Sequence, residues 1–276
     1  MKADLKSSRR ARLPRKTQNT DHSAGGSPLK ATLPNLWTMA PVKSRTAGWW
    51  WLALSAAAIA VFAPLPYLTS SLDALAQDDT AGIAANYADR PPWVQVAFYL
   101  HVICGGLALL LSPLQLSARL RSRTPRTHRT CGRITLTAIT IAGIAGLAMA
   151  PFNMAGPVGT AGFGTLALLW TTFAAASYLA IRRGDVPSHR RWTIRLFALT
   201  YAAVTLRLWL IILILLQPGT APDTAFDRAY LLVPFLCWVP NLLIAEYFHI
   251  RRTPALQAPT ARTHTTNRPS STGNGL

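Results

Sequence analysis

Three histidines and one arginine hold most of the chemistry that this sequence can offer. His101 falls about eight residues into an apolar run, some ~12 Å along a helix rising about 1.5 Å per residue. An imidazole at that depth can ligate iron, handle a proton or hydrogen-bond a ligand, and intramembrane ionisable groups lean towards such roles. At helical spacing Cys104, Gly105, Ala108, Ser112 and Gln115 share its face, which is small or polar throughout and leaves room for a flat group. Arg207 sits at a comparable depth in a later run. An arginine near mid-bilayer costs about 2.5–3.5 kcal/mol on insertion scales, so it requires compensation. No Asp or Glu lies at its depth in any run, so its guanidinium must meet carbonyls, Asn241, water or a bound anion. Thr193 and Thr200 are expected on the same face of its helix.

His128 and His189 each precede an apolar run, accompanied by Arg129 and Arg133 in one case and by Arg190, Arg191 and Arg195 in the other. Unpaired N–H groups and the macrodipole make helix starts attractive to anions. Two such starts can form one anion pocket. They can also clamp a haem b iron between two imidazoles, with arginines receiving the propionates. Lipid headgroup binding by a charge belt is the plainer role. Asn241 and Glu246, with Pro234 and Pro240, complete the polar set. The prolines predict a kinked helix whose freed carbonyls Asn241 re-satisfies, and Glu246 is placed to pair with His189 or Arg195. No nucleotide-binding loop, nucleophile elbow, zincin motif or paired catalytic carboxylates occur.

Six apolar runs position these residues, at 48–67, 93–116, 134–152, 162–181, 194–216 and 228–250. Most approach the ~20 residues that a helix needs to cross a bilayer. The expected fold is all-α, a polytopic six-helix membrane bundle. Its connections alternate: acidic between the first two runs, arginine-rich next, uncharged, arginine-rich again, then acidic. The positive-inside rule places both termini and the arginine-rich loops in the cytoplasm, implying a multi-pass membrane protein. Residues 1–47 carry ten Lys or Arg against Asp4 and Asp21 and read as a disordered basic arm; residues 251–276 read as a disordered tail. The net charge of +18 would suit nucleic acid in a soluble chain, but its place in tails and alternate loops favours anionic headgroups, with no nucleic acid expected. Three scattered cysteines without a CxxC pair argue against a disulfide framework or a zinc ribbon.

Taken together, HVICGGLALLLSPLQL, HRTCGR, a Trp170-bearing run, GDVPSHRRWTIR, LRLWL and WVPNLLIAE resemble a bacterial predicted-membrane-protein family classed as a domain of unknown function. The likeness covers about residues 93–248. It implies an architecture without an assigned activity, and it highlights His101, Gly105, Gln115, His128, Arg129, Gly132, Arg133, His189, Arg190, Trp192, Arg195, Arg207, Asn241 and Glu246. Thr193 stands where the resemblance implies a Met, so a soft ligand is absent there.

Three functions are compatible with these residues. The first is a b-type haem protein that moves electrons through two or more of His101, His128 and His189. The second is a transporter or binding module for a small anionic or lipid-like ligand centred on Arg207. The third is a non-catalytic membrane subunit whose basic arm recruits a partner.

Overall fold

The computed structural model describes residues 42–77 and 82–247. Most of the basic arm, the C-terminal tail, Asp78, Asp79, His22, His249 and His264 lie outside the described residues. What is described is helical, without a strand. Six helical stretches of 23 to 30 residues are long and apolar enough to cross a membrane: Ala47–Thr69, Pro92–Leu116, Pro125–Phe152, Gly156–Arg182, Val186–Leu215 and Pro222–Tyr247.

Four of these begin six to nine residues before the apolar runs do. Proline explains the difference. Pro125, Pro157, Pro187 and Pro222 each stand in a first turn, where a missing N–H leaves nothing unsatisfied and the fixed φ favours a helix. The arginine-rich loops are therefore largely helix: α6 (Ala118–Arg123) leads into α7 (Pro125–Met149), and α8 (Gly156–Arg182) turns at Gly184, φ +75°, into α9 (Val186–Thr200). His128 and His189 consequently lie one turn inside their helices. The start of α9 is capped by Asp185, whose carboxylate accepts from Ser188 N–H at 3.0 Å. Hydrogen bonds from Ser188 hold that carboxyl below the usual carboxylate range.

At the opposite end, α1 (Val42–Phe62) is followed by three short helices: α2 (Leu65–Thr69), α3 (Leu72–Ala76) and α4 (Gly82–Ala88). They cover the start of α5 (Pro92–Leu116), burying Leu72, Ala84 and Tyr87 against Val94 and Phe98. The main core gathers Ala108, Ile139, Ala142, Trp170, Leu199, Val233 and Trp238 from α5, α7, α8, α9 and the last span. Small residues allow close approach in a bundle that gains little from apolar burial alone. At Gly162 in α8 a Cβ would overlap Pro234 of α11 (Pro222–Leu236). Of the six spans, the one containing α1 is least buried by its neighbours.

Two spans are broken at matching places. The fifth divides at Tyr201 into α9 and α10 (Ala202–Leu215), and the sixth divides at Cys237–Trp238 into α11 and α12 (Val239–Ile244). Freed carbonyls inside a membrane must find donors. Asn241 Nδ2 supplies them: it lies 3.2 Å from the Ala198 carbonyl, 3.0 Å from that of Cys237 and 3.0 Å from Thr205 Oγ1. Thr205 in turn donates to the Cys237 carbonyl. The expected role of Asn241 thus extends to both breaks. Asn241→Leu is expected to cost about 1–2 kcal/mol, a typical range for interhelical hydrogen bonds. The check is a lower unfolding temperature in detergent; an unchanged one would show that the amide is dispensable.

Candidate functional site

The breaks open onto a cavity of about 270 Å³ lined from all six spans. His101 and Gly105 from α5, Gly146 from α7, Trp170 from α8 and Thr200 from α9 line it, with Arg207 from α10 and Tyr230 from α11. Tyr67 and Tyr87 complete it from the covering helices. Its remaining walls are chiefly aliphatic or aromatic, among them Phe98, Phe163, Leu166 and Leu206.

His101 is held in place from one side. Its Nδ1 lies 2.8 Å from the Ala142 carbonyl and, because a carbonyl only accepts, Nδ1 carries the proton. Gly146 makes this approach possible: a Cβ there would stand 3.0 Å from Nδ1. Trp170 meets the imidazole edge to face at 6.4 Å, and its indole N–H donates to Thr200 Oγ1 at 2.9 Å. His101 Nε2 has no hydrogen-bond partner among the described residues, and the ring lines the cavity.

Arg207 donates from Nη1 to the Ala203 carbonyl of its own helix at 2.7 Å. Its other N–H groups find no acceptor among the described residues, and the phenols of Tyr67 and Tyr230 are the titratable groups within its electrostatic reach. No carboxylate pairs with it; the ion pair among the described residues is Arg195 with Glu246. The hydroxyls of Tyr67, Tyr87 and Tyr230 likewise make no hydrogen bond there. Burial pushes the Tyr87 phenol up to about 12, which keeps it a donor at any ordinary pH. The cavity therefore presents a guanidinium with one backbone partner, and three phenol hydroxyls and one imidazole nitrogen without partners among the described residues. Such convergence of a few polar groups within apolar walls is the usual anatomy of a small-molecule site.

The other expected site residues gather at the arginine-rich end. Arg195 forms a two-pronged pair with Glu246, at 3.0 Å from Nε and 2.9 Å from Nη2, and its guanidinium lies 4.7 Å from the centre of the Trp192 ring. His189 Nδ1 donates to the Ser177 carbonyl at 2.9 Å, with the Ser177 hydroxyl 3.0 Å away. Electrostatic reach connects His128 with His189 and Arg121, and the buried His128 Nδ1 has no partner. Gln115 Nε2 is equally without one, while a Cβ on Gly132 would stand 3.2 Å from Gln115 Oε1. Arg129 donates to the Pro125 carbonyl, and Arg129, Arg133 and Arg190 are exposed. No group of three or more His, Cys, Asp or Glu able to hold a metal occurs among the described residues.

His101 and Arg207 thus share one cavity, whereas His128 and His189 line no part of it. Thr200 joins Arg207 there; Thr193, beyond the break, bonds to Ser177 and His189 instead. The three tyrosines, Trp170 and Gly146 were not expected at a site. Only Tyr87 left a usable signal, an i, i+4 spacing with Ile83 that marks an amphipathic helix within an acidic loop.

A family model described as "Predicted membrane protein (DUF2306)" matches residues 98–249. Neither a curated protein nor a solved structure matches the chain.

Proposed function

The chain belongs to the DUF2306 family of predicted membrane proteins, and from that premise we propose that it is a membrane-embedded binding module or carrier for a small anionic ligand with an apolar body. The observation that carries this reading is Arg207, an intramembrane cation without a carboxylate partner, facing a 270 Å³ cavity. Bringing a permanent charge into lipid without an internal counter-ion makes sense where the counter-ion is the ligand. The lightly packed α1 forms one wall of the cavity, which favours a ligand already dissolved in the bilayer.

Haem binding has less support. His101 is the one histidine among the residues that line its cavity, so an iron there would have a single imidazole ligand. His128 and His189 lie within electrostatic reach of each other but line no part of this cavity. The test is thermal stability of the detergent-purified protein against benzoate, a compact aromatic anion. Gly105 supplies the control, because a Cβ there meets nothing within 4 Å, so Gly105→Phe extends into the cavity without displacing a neighbouring backbone. Benzoate is expected to raise the melting temperature of the wild type and to leave Gly105→Phe unmoved. Equal responses, or none in either protein, would refute the proposal.

A further inference from the structure

An anion explains Arg207 and the phenols but leaves His101 Nε2 without a purpose. Nδ1 is committed as a donor to the Ala142 carbonyl at 2.8 Å, so the neutral ring offers Nε2 as a hydrogen-bond acceptor. The guanidinium carries no acceptor at all, and each phenol has an O–H to give as well as an oxygen that accepts, whereas Nε2 in this tautomer has no hydrogen to give. Among these groups Nε2 is the one that can only accept, so it pairs only with a donor.

The fixed geometry makes this demand specific. The imidazole cannot turn over without giving up the Ala142 carbonyl, and the absence of a side chain at Gly146 seats it there. Trp170 is itself held by Thr200 and closes one side of the ring. A hydrogen bond offered by a site and left unmade by the ligand carries the desolvation cost of the group, so a ligand lacking the donor is rejected. Size adds a second limit, since a cavity of about 270 Å³ suits a small organic molecule.

We infer that the ligand is a small hydroxylated organic acid, with an anionic group for Arg207 and a separate hydroxyl that donates to His101 Nε2 across a compact apolar body. This inference rests on the binding function proposed above and narrows it to one substrate class. Binding alone is assigned; no bond of the ligand is broken.

The experiment compares dissociation constants for benzoate, 3- and 4-hydroxybenzoate, and 3- and 4-fluorobenzoate on the purified full-length protein. Fluorine approximates the size of a hydroxyl but cannot donate. At least one hydroxy acid is expected to bind tenfold or more tightly than its fluoro counterpart. His101→Asn keeps a donor at the position of Nδ1 for the Ala142 carbonyl while removing Nε2. That variant should lose the hydroxy preference, the ratio of hydroxy to fluoro affinities falling to about one, whereas a merely structural histidine would weaken all five ligands alike and leave that ratio as in wild type. If hydroxy and fluoro acids bind wild type equally, or the preference survives in His101→Asn, the inference falls while the anion-binding function stands. If none of the five binds, both fall. The wild-type comparison decides the matter even where His101→Asn does not fold.

Discussion

Arg207→Met will weaken benzoate binding by roughly 30- to 150-fold while raising the melting temperature of the ligand-free protein. The first effect follows from losing charge-assisted hydrogen bonds, worth about 2–3 kcal/mol when the partner is ionised. The second has the opposite sign for a simple reason. Without ligand, the guanidinium has one backbone carbonyl and the neighbourhood of two neutral phenols to offset its removal from water. Replacing it with an unbranched apolar side chain of similar length removes an uncompensated charge from the bundle. Stability sacrificed at a position that ligand binding requires is a recurrent pattern in functional sites. Arg207→Lys keeps the charge but not the planar fork, so its affinity is expected to fall between the two. Calorimetric titration and thermal unfolding of the same preparations check both effects. Unchanged affinity in Arg207→Met would end the case for Arg207 as the anion's partner.

Gly162→Leu is expected to prevent assembly altogether. A Cβ at this position would sit on Pro234, with the Pro234 carbonyl carbon and oxygen both 2.9 Å away. Because the obstacle is backbone, no rotamer change relieves it, and the cost should reach or exceed the ~3 kcal/mol typical of severe overpacking. α8 and α11 would separate where the latter carries its internal proline, and Trp170 and Tyr230 would lose their common cavity. Fluorescence-detected size exclusion should show aggregate in place of a single peak. Gly105→Leu, made alongside, should elute as wild type because open space surrounds that position. A monodisperse Gly162→Leu protein would show that the close contact between α8 and α11 is not required for assembly.

The contrast between those glycines shows what could be read from residue order. Six helices were legible because hydrocarbon-length apolar runs leave a backbone no alternative in lipid. The starts of four were not, since their first turns carry prolines that look like loop. The acidic connection also reads as loop, although Leu72, Ile83 and Tyr87 turn it into a packed cover. His101 and Arg207 announce themselves as polar groups at similar depth in apolar runs, and the structure brings them to one cavity. Tyr67, Tyr87 and Tyr230 carry no such mark. An aromatic near a membrane helix is ordinarily packing or an interfacial anchor, and only tertiary structure makes three of them face one cation. The break at Tyr201 was equally hidden, because it contains neither Gly nor Pro; the break near Cys237 was announced by Pro240. Glu246 was open to either of two partners by sequence, and the structure gives it to Arg195.

The family match begins at residue 98, so α1 to α4 stand outside it, yet Ile59, Pro64, Tyr67 and Tyr87 from that stretch line the cavity. The cavity is accordingly composite, with a polar floor from one stretch of chain and a ceiling from another. Changes in the ceiling can reshape what is admitted while imidazole and guanidinium stay in register below. A protein made in this way can acquire new selectivity by exchanging its N-terminal helices, much as a lock is rekeyed by changing the barrel and keeping the bolt.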